Sequence, residues 1–247
     1  MKTNIAYDND KAVSILTIGY QVDEILELLS KIYNDKDKWK VIFDLYKRIK
    51  FNIAAIAMLD NKNWATTPQN NLYRSVITDM MYVMYHILAS DEESSYCIEF
   101  DNYKHVKSAY QFLKSHCKFA KELFNQMEQP IDKTEKELLD RYKKHFSYYI
   151  RDNNGEWEFV KPNNLYNSSY NGTIQSVANY LESNESNIYF ISYLYMCYKE
   201  LSQTEHYSVK GKLFAFYTSD SFNKFHKIIL HGIMCITNQY VIMALQE

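Results

Sequence analysis

The chain has 247 residues, 47% of them hydrophobic, and its 28 basic and 30 acidic residues leave a formal net charge of −2. This balance gives no general attraction to nucleic acid or to an anionic membrane surface. With only 5 Gly and 3 Pro, the chain lacks the turn residues that sheets need, so long helices with few connections are favoured. We therefore predict an all-α protein, a single irregular helical bundle of about seven to nine helices over residues 1–247.

In chain order, the first two predicted helices run from about residue 8 to 33 and from about 38 to 59. A third is predicted at about 68–90, with Pro68 in its first turn. From Val76 to Leu88 this helix is apolar on nearly every side, which is typical of a buried helix. Asp79 lies in that run, so we expect a buried carboxylate that needs a partner. Arg74 does not share its face, and each side chain is expected to contact a different helix.

The acidic stretch at 90–101 is interpreted as a connection to a fourth helix that ends near residue 129. A fifth helix at about 135–149 precedes the longest break in the pattern, at 151–164, where a short strand pair around Trp157 and an anchored loop are both open. This break is the one candidate domain boundary, although the apolar helices on both sides favour a single domain. A short helix, capped from within 167–173, and helices at about 187–206 and 220–245 complete the chain.

The stretch from Tyr198 to Ser208 carries the most distinctive polar residues and ends a strongly apolar run. In a helix, Tyr198, Ser202 and His206 recur every four residues and share one face. A serine one turn from a histidine has the arrangement of a nucleophile and its base. No Gly-x-Ser-x-Gly elbow accompanies the pair, however, and a hydrogen-bonded helix terminus explains it equally well.

Metal binding is a weaker hypothesis. His231 and Cys235 are one turn apart in the last predicted helix, and His226 precedes them, which makes these three weak candidates for metal ligands. No second pair of ligands is apparent in the sequence, so we predict no metal and no cofactor.

RNA cleavage is a further hypothesis. Helical nucleases of the HEPN type place an arginine and a histidine on one helix, because arginine stabilises phosphate charge and histidine transfers protons. The closest match, Arg141 to His145, has a shorter spacing than that motif. An RNase site would therefore be assembled in space from Arg74, Asp79 and His206.

Taken together, these motifs resemble an uncharacterised bacterial family of all-helical proteins, known only as a domain of unknown function. Its members show an L-x-R-x-x-x-E helix before an apolar run, a later Trp-containing break, and a helix reading Y-x-x-L-S-x-x-x-H. The matching positions here are Leu72, Arg74, Asp79, Trp157, Tyr198, Leu201, Ser202 and His206, with Asp79 one residue beyond the acidic position of the motif. The resemblance covers most of residues 10–245 and implies no established activity. Helical families of similar style occur in phage-defence or stress loci.

From the sequence we expect a cytoplasmic bacterial binding or regulatory protein, linked to stress or phage defence, in which Arg74, Asp79, Ser202 and His206 form a buried network or a ligand pocket. The alternative is a HEPN-like, metal-independent RNase that uses Arg74, Asp79 and His206. The expected partner is an unidentified ligand or protein and not a membrane. Nucleic acid is a possible partner, although the net charge does not indicate it. The 23 tyrosines also leave a homodimer open, since tyrosine is common in interface cores.

Overall fold

Helices make up most of the described part of the chain. A computed structural model describes residues 37–59, 66–125, 149–153, 156–167, 169–184 and 188–202, together with isolated residues between 24 and 32 and between 137 and 144. In chain order the elements are α1 (Asp37–Leu59), α2 (Thr66–Leu88), α3 (Asp91–Asn125), β1 (Ile150–Asn153), β2 (Glu156–Phe159), a 3-10 helix (Asn163–Asn167), α4 (Ile174–Asn184) and α5 (Ile188–Ser202). The predicted all-α class is confirmed, with one short β-hairpin as the exception.

Helices α1 and α2 begin and end close to their predicted limits, because apolar residues recur at helical spacing between polar breaks. On α1, Ile42, Ile49 and Ile56 are each at most 2% exposed and form one buried stripe. On α2 the burial extends around the helix, as predicted from its apolar sequence, since Ile77 and Met81 are both 0% exposed. Helix α2 is therefore the central helix of its part of the fold, in contact with α1, α4 and α5.

The acidic stretch predicted as a connection is instead the beginning of α3, which starts at Asp91. Ser90 and Glu93 form a reciprocal cap: the Ser90 hydroxyl accepts the Glu93 N–H at 3.2 Å, and the Glu93 carboxylate accepts the Ser90 N–H at 3.1 Å. Acidic side chains in a first turn also interact favourably with the helix dipole. The charges that suggested a break thus stabilise a helix start.

The chain divides into two compact units, Met1–Ser94 with Thr173–Glu247, and Ser95–Gly172. In the first unit α2 packs against α1, α4 and α5, and α4 also packs against α5. The limits of the units fall within α3 and just before α4. The prediction of one domain over 1–247, with a weak boundary near 151–164, stays a prediction.

A β-hairpin lies in the second unit, at the break around Trp157. Strands β1 and β2 pair antiparallel, with Ile150 opposite Phe159 and Arg151 opposite Glu158. Of the two open interpretations of this break, the strand pair is the one observed. Ile150 joins a buried cluster that is described by its members: Tyr103, Val106, Tyr149, Ile150 and Leu165.

Gly172 and Thr173 set the beginning of α4. Gly172 has a φ of 73°, and a Cβ at this position would lie 2.6 Å from Cδ of Lys104, so the turn requires glycine. The Thr173 hydroxyl accepts the Ser176 N–H at 3.2 Å, which is the geometry of an N-cap. The cap predicted within 167–173 is confirmed at Thr173.

Candidate functional site

Asp79 on α2 is the acidic residue of the candidate set, and it is 0% exposed. Its partner is Arg48 on α1, whose Nε donates to Oδ2 at 2.7 Å while Nη2 donates to Oδ1. Both carboxylate oxygens are thus bound by one guanidinium, which is the strongest form of this pairing. The Arg48 side chain is 59% exposed, so the pair joins a sealed anion to a cation that still contacts solvent.

The electrostatic effects on Asp79 oppose each other. Burial raises the pKa of the Asp79 carboxyl, and the hydrogen bonds and charge of Arg48 counteract that rise. The hydrogen bond to Asp79 in turn raises the pKa of Arg48. Asp79 therefore depends on Arg48 to remain charged inside the helix pair.

Further polar contacts continue along the same helix pair and form what we call the α1/α2 polar seam: Arg48 with Asp79, Asn52 with Ser75, and Gln69 with the Ile56 carbonyl. The Asn52 amide donates to the Ser75 hydroxyl at 3.0 Å, and the Gln69 amide donates to the Ile56 carbonyl at 3.3 Å. The α1 members recur every four residues, so they lie on successive turns of one face. These contacts match the register in which the two antiparallel helices pack.

Arg74 contacts a different helix from Asp79, in line with the expectation that the two residues face apart. Its guanidinium carbon lies 5.7 Å from the centre of the Tyr198 ring on α5, within the range of a cation–π contact. One turn further along α5, the Ser202 hydroxyl donates to the Tyr198 carbonyl at 2.7 Å. The structure thus brings Arg74 to the helix of Ser202 and brings Asp79 to α1.

His206 lies outside the described residues, as do the weak metal candidates His226, His231 and Cys235. The predicted network of Arg74, Asp79, Ser202 and His206 therefore stays a prediction. The Ser202 hydroxyl donates its hydrogen bond to a carbonyl of its own helix, and this bond does not activate a serine as a nucleophile.

A second serine–histidine pair, which the sequence analysis did not identify, lies where α2 meets α3. His86 Nδ1 is 2.8 Å from the Ser94 hydroxyl, and the two residues are 2% and 0% exposed. Burial, with a smaller contribution from the charge of Lys38, lowers the pKa of His86 to about 4. The Lys38 ammonium donates to the Ala89 carbonyl at 2.7 Å. This pair is sealed and neutral, which suits a structural role.

The sequence analysis missed two hydrogen-bond partners, Arg48 of Asp79 and Ser94 of His86, and only the first could have been predicted from the sequence. Arg48 and Asp79 lie at about the same distance from the connection between Leu59 and Thr66, so an antiparallel helix pair would place them opposite each other. Ser94 gave no such signal, because the acidic stretch around it was interpreted as a connection rather than a helix.

Cys97 and Cys197 are buried free thiols. Burial raises the pKa of Cys197 to about 11 and also raises that of Cys97, so neither is a ready nucleophile.

No protein-family model matches this chain, and neither the curated proteins nor the solved structures contain a significant match. Within the described ranges, no group of three His, Cys, Asp or Glu side chains is placed to hold a metal ion. None of the described helices is both long enough and apolar enough to span a membrane.

Proposed function

We propose that this chain is a helical binding or regulatory protein, in which the polar residues noted in the sequence serve mainly to hold helices together. The observation that carries this proposal is the Arg48–Asp79 pair, since the Asp79 carboxylate is 0% exposed and both its oxygens accept hydrogen bonds from Arg48. A general acid or base must come within hydrogen-bond reach of the proton that it transfers. A carboxylate enclosed between two helices and already bound lacks that access.

The biological setting belongs to the same proposal. We place the protein in the bacterial cytoplasm, in a stress or phage-defence role, with an unidentified ligand or protein as its partner and a homodimer as an open form. The finer architecture, a single bundle of about seven to nine helices, is also proposed. Plating efficiency of phages on cells with and without the gene tests the defence role: a lower efficiency with the gene supports it, and equal efficiencies contradict it.

The second candidate function is a HEPN-like, metal-independent RNase that uses Arg74, Asp79 and His206. The specific observation in its favour is the contact of Arg74 with Tyr198, because it brings a cation to α5, the helix that precedes His206 in the sequence. An arginine in this position could stabilise the charge of a phosphate if His206 continues the same helical face.

Purified protein incubated with total RNA in the presence of EDTA separates the two candidates. The variants are wild type, His206→Ala and Asp79→Asn, each checked for helical content by circular dichroism. The binding proposal expects RNA of equal integrity with all three. Degradation by wild type that is lost in His206→Ala would establish the nuclease and contradict the binding proposal.

A further inference from the structure

Charge is divided sharply along α3. The first part of this helix, 91–101, contains acidic residues and no lysine or arginine, and the next part, 102–121, contains lysines and no aspartate or glutamate. The acidic residues are Asp91, Glu92, Glu93, Glu99 and Asp101, and the basic ones are Lys104, Lys107, Lys114, Lys118 and Lys121. The near-neutral charge of the whole chain conceals this separation.

The acidic part is used within the fold. In the second unit the Tyr170 hydroxyl donates to Asp101 at 2.8 Å, and the Tyr149 hydroxyl donates to Glu99. In the first unit the Tyr180 hydroxyl donates to Glu93 at 3.0 Å. These carboxylates are therefore committed to holding the fold together, which is a reason for their presence that requires no outside partner.

The lysines follow a different pattern, which we call the lysine row: residues 104, 107, 114, 118 and 121. With Gln111 between them, their spacings alternate between three and four residues, and positions at this spacing fall on one face of an α-helix. The row extends over about 25 Å at 1.5 Å per residue. Lys104 and Lys107 are both exposed. A linear array of this kind matches a polyanion better than it matches a single small anion.

Two of these lysines are held by the second unit itself. The Lys104 ammonium donates to the Gly172 carbonyl at 2.9 Å, and the Lys107 ammonium lies 5.8 Å from the centre of the Tyr103 ring. These contacts leave both side chains exposed while they limit the rotamers available to them. The beginning of the row is thus partly organised before any partner binds, which reduces the entropy cost of binding.

Aromatic rings accompany the lysine row. The Tyr110 and Phe159 rings lie 5.2 Å apart and are partly exposed, and Lys161 lies 4.8 Å from the centre of the Phe100 ring. Proteins that bind single strands combine a basic track for the phosphates with aromatic faces on which bases stack. A duplex keeps its bases stacked within itself, so these rings favour a single strand over a duplex.

We propose that the lysine row of α3 binds the phosphate backbone of a single-stranded nucleic acid, with bases stacking against the Tyr110–Phe159 pair. This inference rests on the proposed binding function and names the class of its partner. It differs from the RNase hypothesis, because it requires neither Arg74 nor His206 and involves no cleavage. It also assigns nucleic-acid binding to a surface that the net charge of the chain does not reveal.

The test measures the fluorescence anisotropy of a labelled oligouridine at roughly 50 and 200 mM salt. One variant changes all five lysines of the row to glutamine. The matched control changes five lysines outside α3 to glutamine and therefore has the same net charge: Lys31, Lys40, Lys47, Lys50 and Lys199. A third variant changes the row to arginine and retains its charge. Circular dichroism and thermal melting confirm folding, and the double variant Lys104→Gln/Lys107→Gln replaces the five-site variant if that one does not fold.

Wild type, control and arginine variants are expected to bind alike, and the glutamine row variant at least about tenfold more weakly. The slope of log K against log salt is negative, and it should become less negative by about 0.7 for each lysine removed. Absence of binding by wild type, equal weakening in row and control variants, or preference for a duplex of the same sequence would overturn the inference. Binding to phosphatidylglycerol vesicles without binding to oligouridine would also overturn it.

Gels of the recovered RNA distinguish failure of this inference from failure of the proposed function. RNA that is intact and unbound contradicts this inference alone. RNA cut by wild type but not by His206→Ala contradicts the binding function.

Discussion

Two polar pairs of the first unit each place a polar group in the protein interior, and they offset the cost of its burial in different ways. Arg48 and Asp79 form a charged pair in which the cation is 59% exposed and the anion is sealed. His86 and Ser94 form a neutral pair in which both residues are sealed. A buried charge is tolerated when a partner supplies the opposite charge, whereas a buried imidazole without an acidic partner loses its proton.

The surroundings of the two pairs explain this difference. Asp79 accepts two hydrogen bonds from a guanidinium that remains in contact with water. His86 is flanked by the rings of Tyr82 and Tyr85 and lies close enough to Lys38 for its charge to matter. Lys38 also forms an ion pair with Asp91 at 3.6 Å. Burial is thus the main effect on the pKa of both groups: Arg48 opposes it at Asp79, whereas the charge of Lys38 adds to it at His86.

The largest expected effect comes from breaking the charged pair at its exposed end. Arg48→Met leaves the Asp79 carboxylate buried without its counter-charge, and the free energy of unfolding at pH 7 should fall by about 3 kcal/mol. The double variant Arg48→Met/Asp79→Leu removes both charges and should recover most of that loss. Urea denaturation of wild type, single and double variants provides the measurement. A double variant no more stable than Arg48→Met would show that the pair does not act as a charge-compensated unit.

The second prediction concerns pH and the neutral pair. The folded pKa of His86 is about 4, against an ordinary value of 6.5, so the unfolded chain takes up a proton first as pH falls. The contribution of His86 to stability is complete above pH 6.5 and should decrease by about 3 kcal/mol between pH 6.5 and 4. The difference in unfolding free energy between wild type and His86→Gln should show this slope. The same comparison for the exposed His105→Gln serves as control, and equal slopes for the two histidines would rule the assignment out.

The smallest expected effect on stability comes from removing a tyrosine hydroxyl, and it should differ between Tyr46 and Tyr180. The Tyr46 hydroxyl is buried, and no hydrogen-bond partner for it occurs among the described residues. Tyr46→Phe should therefore leave the melting temperature unchanged or raise it, with a gain of at most about 1 kcal/mol. Tyr180→Phe is the matched control, because its hydroxyl donates to Glu93 and its removal should cost about 1 kcal/mol. Equal losses in both variants would mean that Tyr46 has a hydrogen bond as valuable as that of Tyr180.

The sequence predicted local structure well where periodicity and turn chemistry agreed. Helices α1 and α2 follow from apolar stripes between polar breaks, and Thr173 caps α4 from within the predicted segment. The prediction failed at 90–101, where acidic residues suggested a connection and Ser90 with Glu93 instead begin a helix. An isolated run of acids is ambiguous, because it suits both a solvated connection and the first turn of a helix.

The candidate site was predicted less completely, because partners come from other helices. The burial of Asp79 followed from its apolar neighbours, while the identity of its partner required the pairing of α1 with α2. His86 appeared in the sequence only as a polar residue in an apolar run, with nothing to show that Ser94 would meet it. The position of Arg74 against Tyr198 likewise required the packing of α2 against α5.

By itself, the sequence determined the helical class, the deep burial of α2 and the need of Asp79 for a partner, because these depend on local spacing and composition. Only the tertiary structure decided that Arg48 supplies this partner and that His86 is sealed beside Ser94. The physical reason is that burial can be inferred from one helix, whereas a hydrogen bond between helices depends on their register. Register is set jointly by many packing contacts along the whole length of both helices.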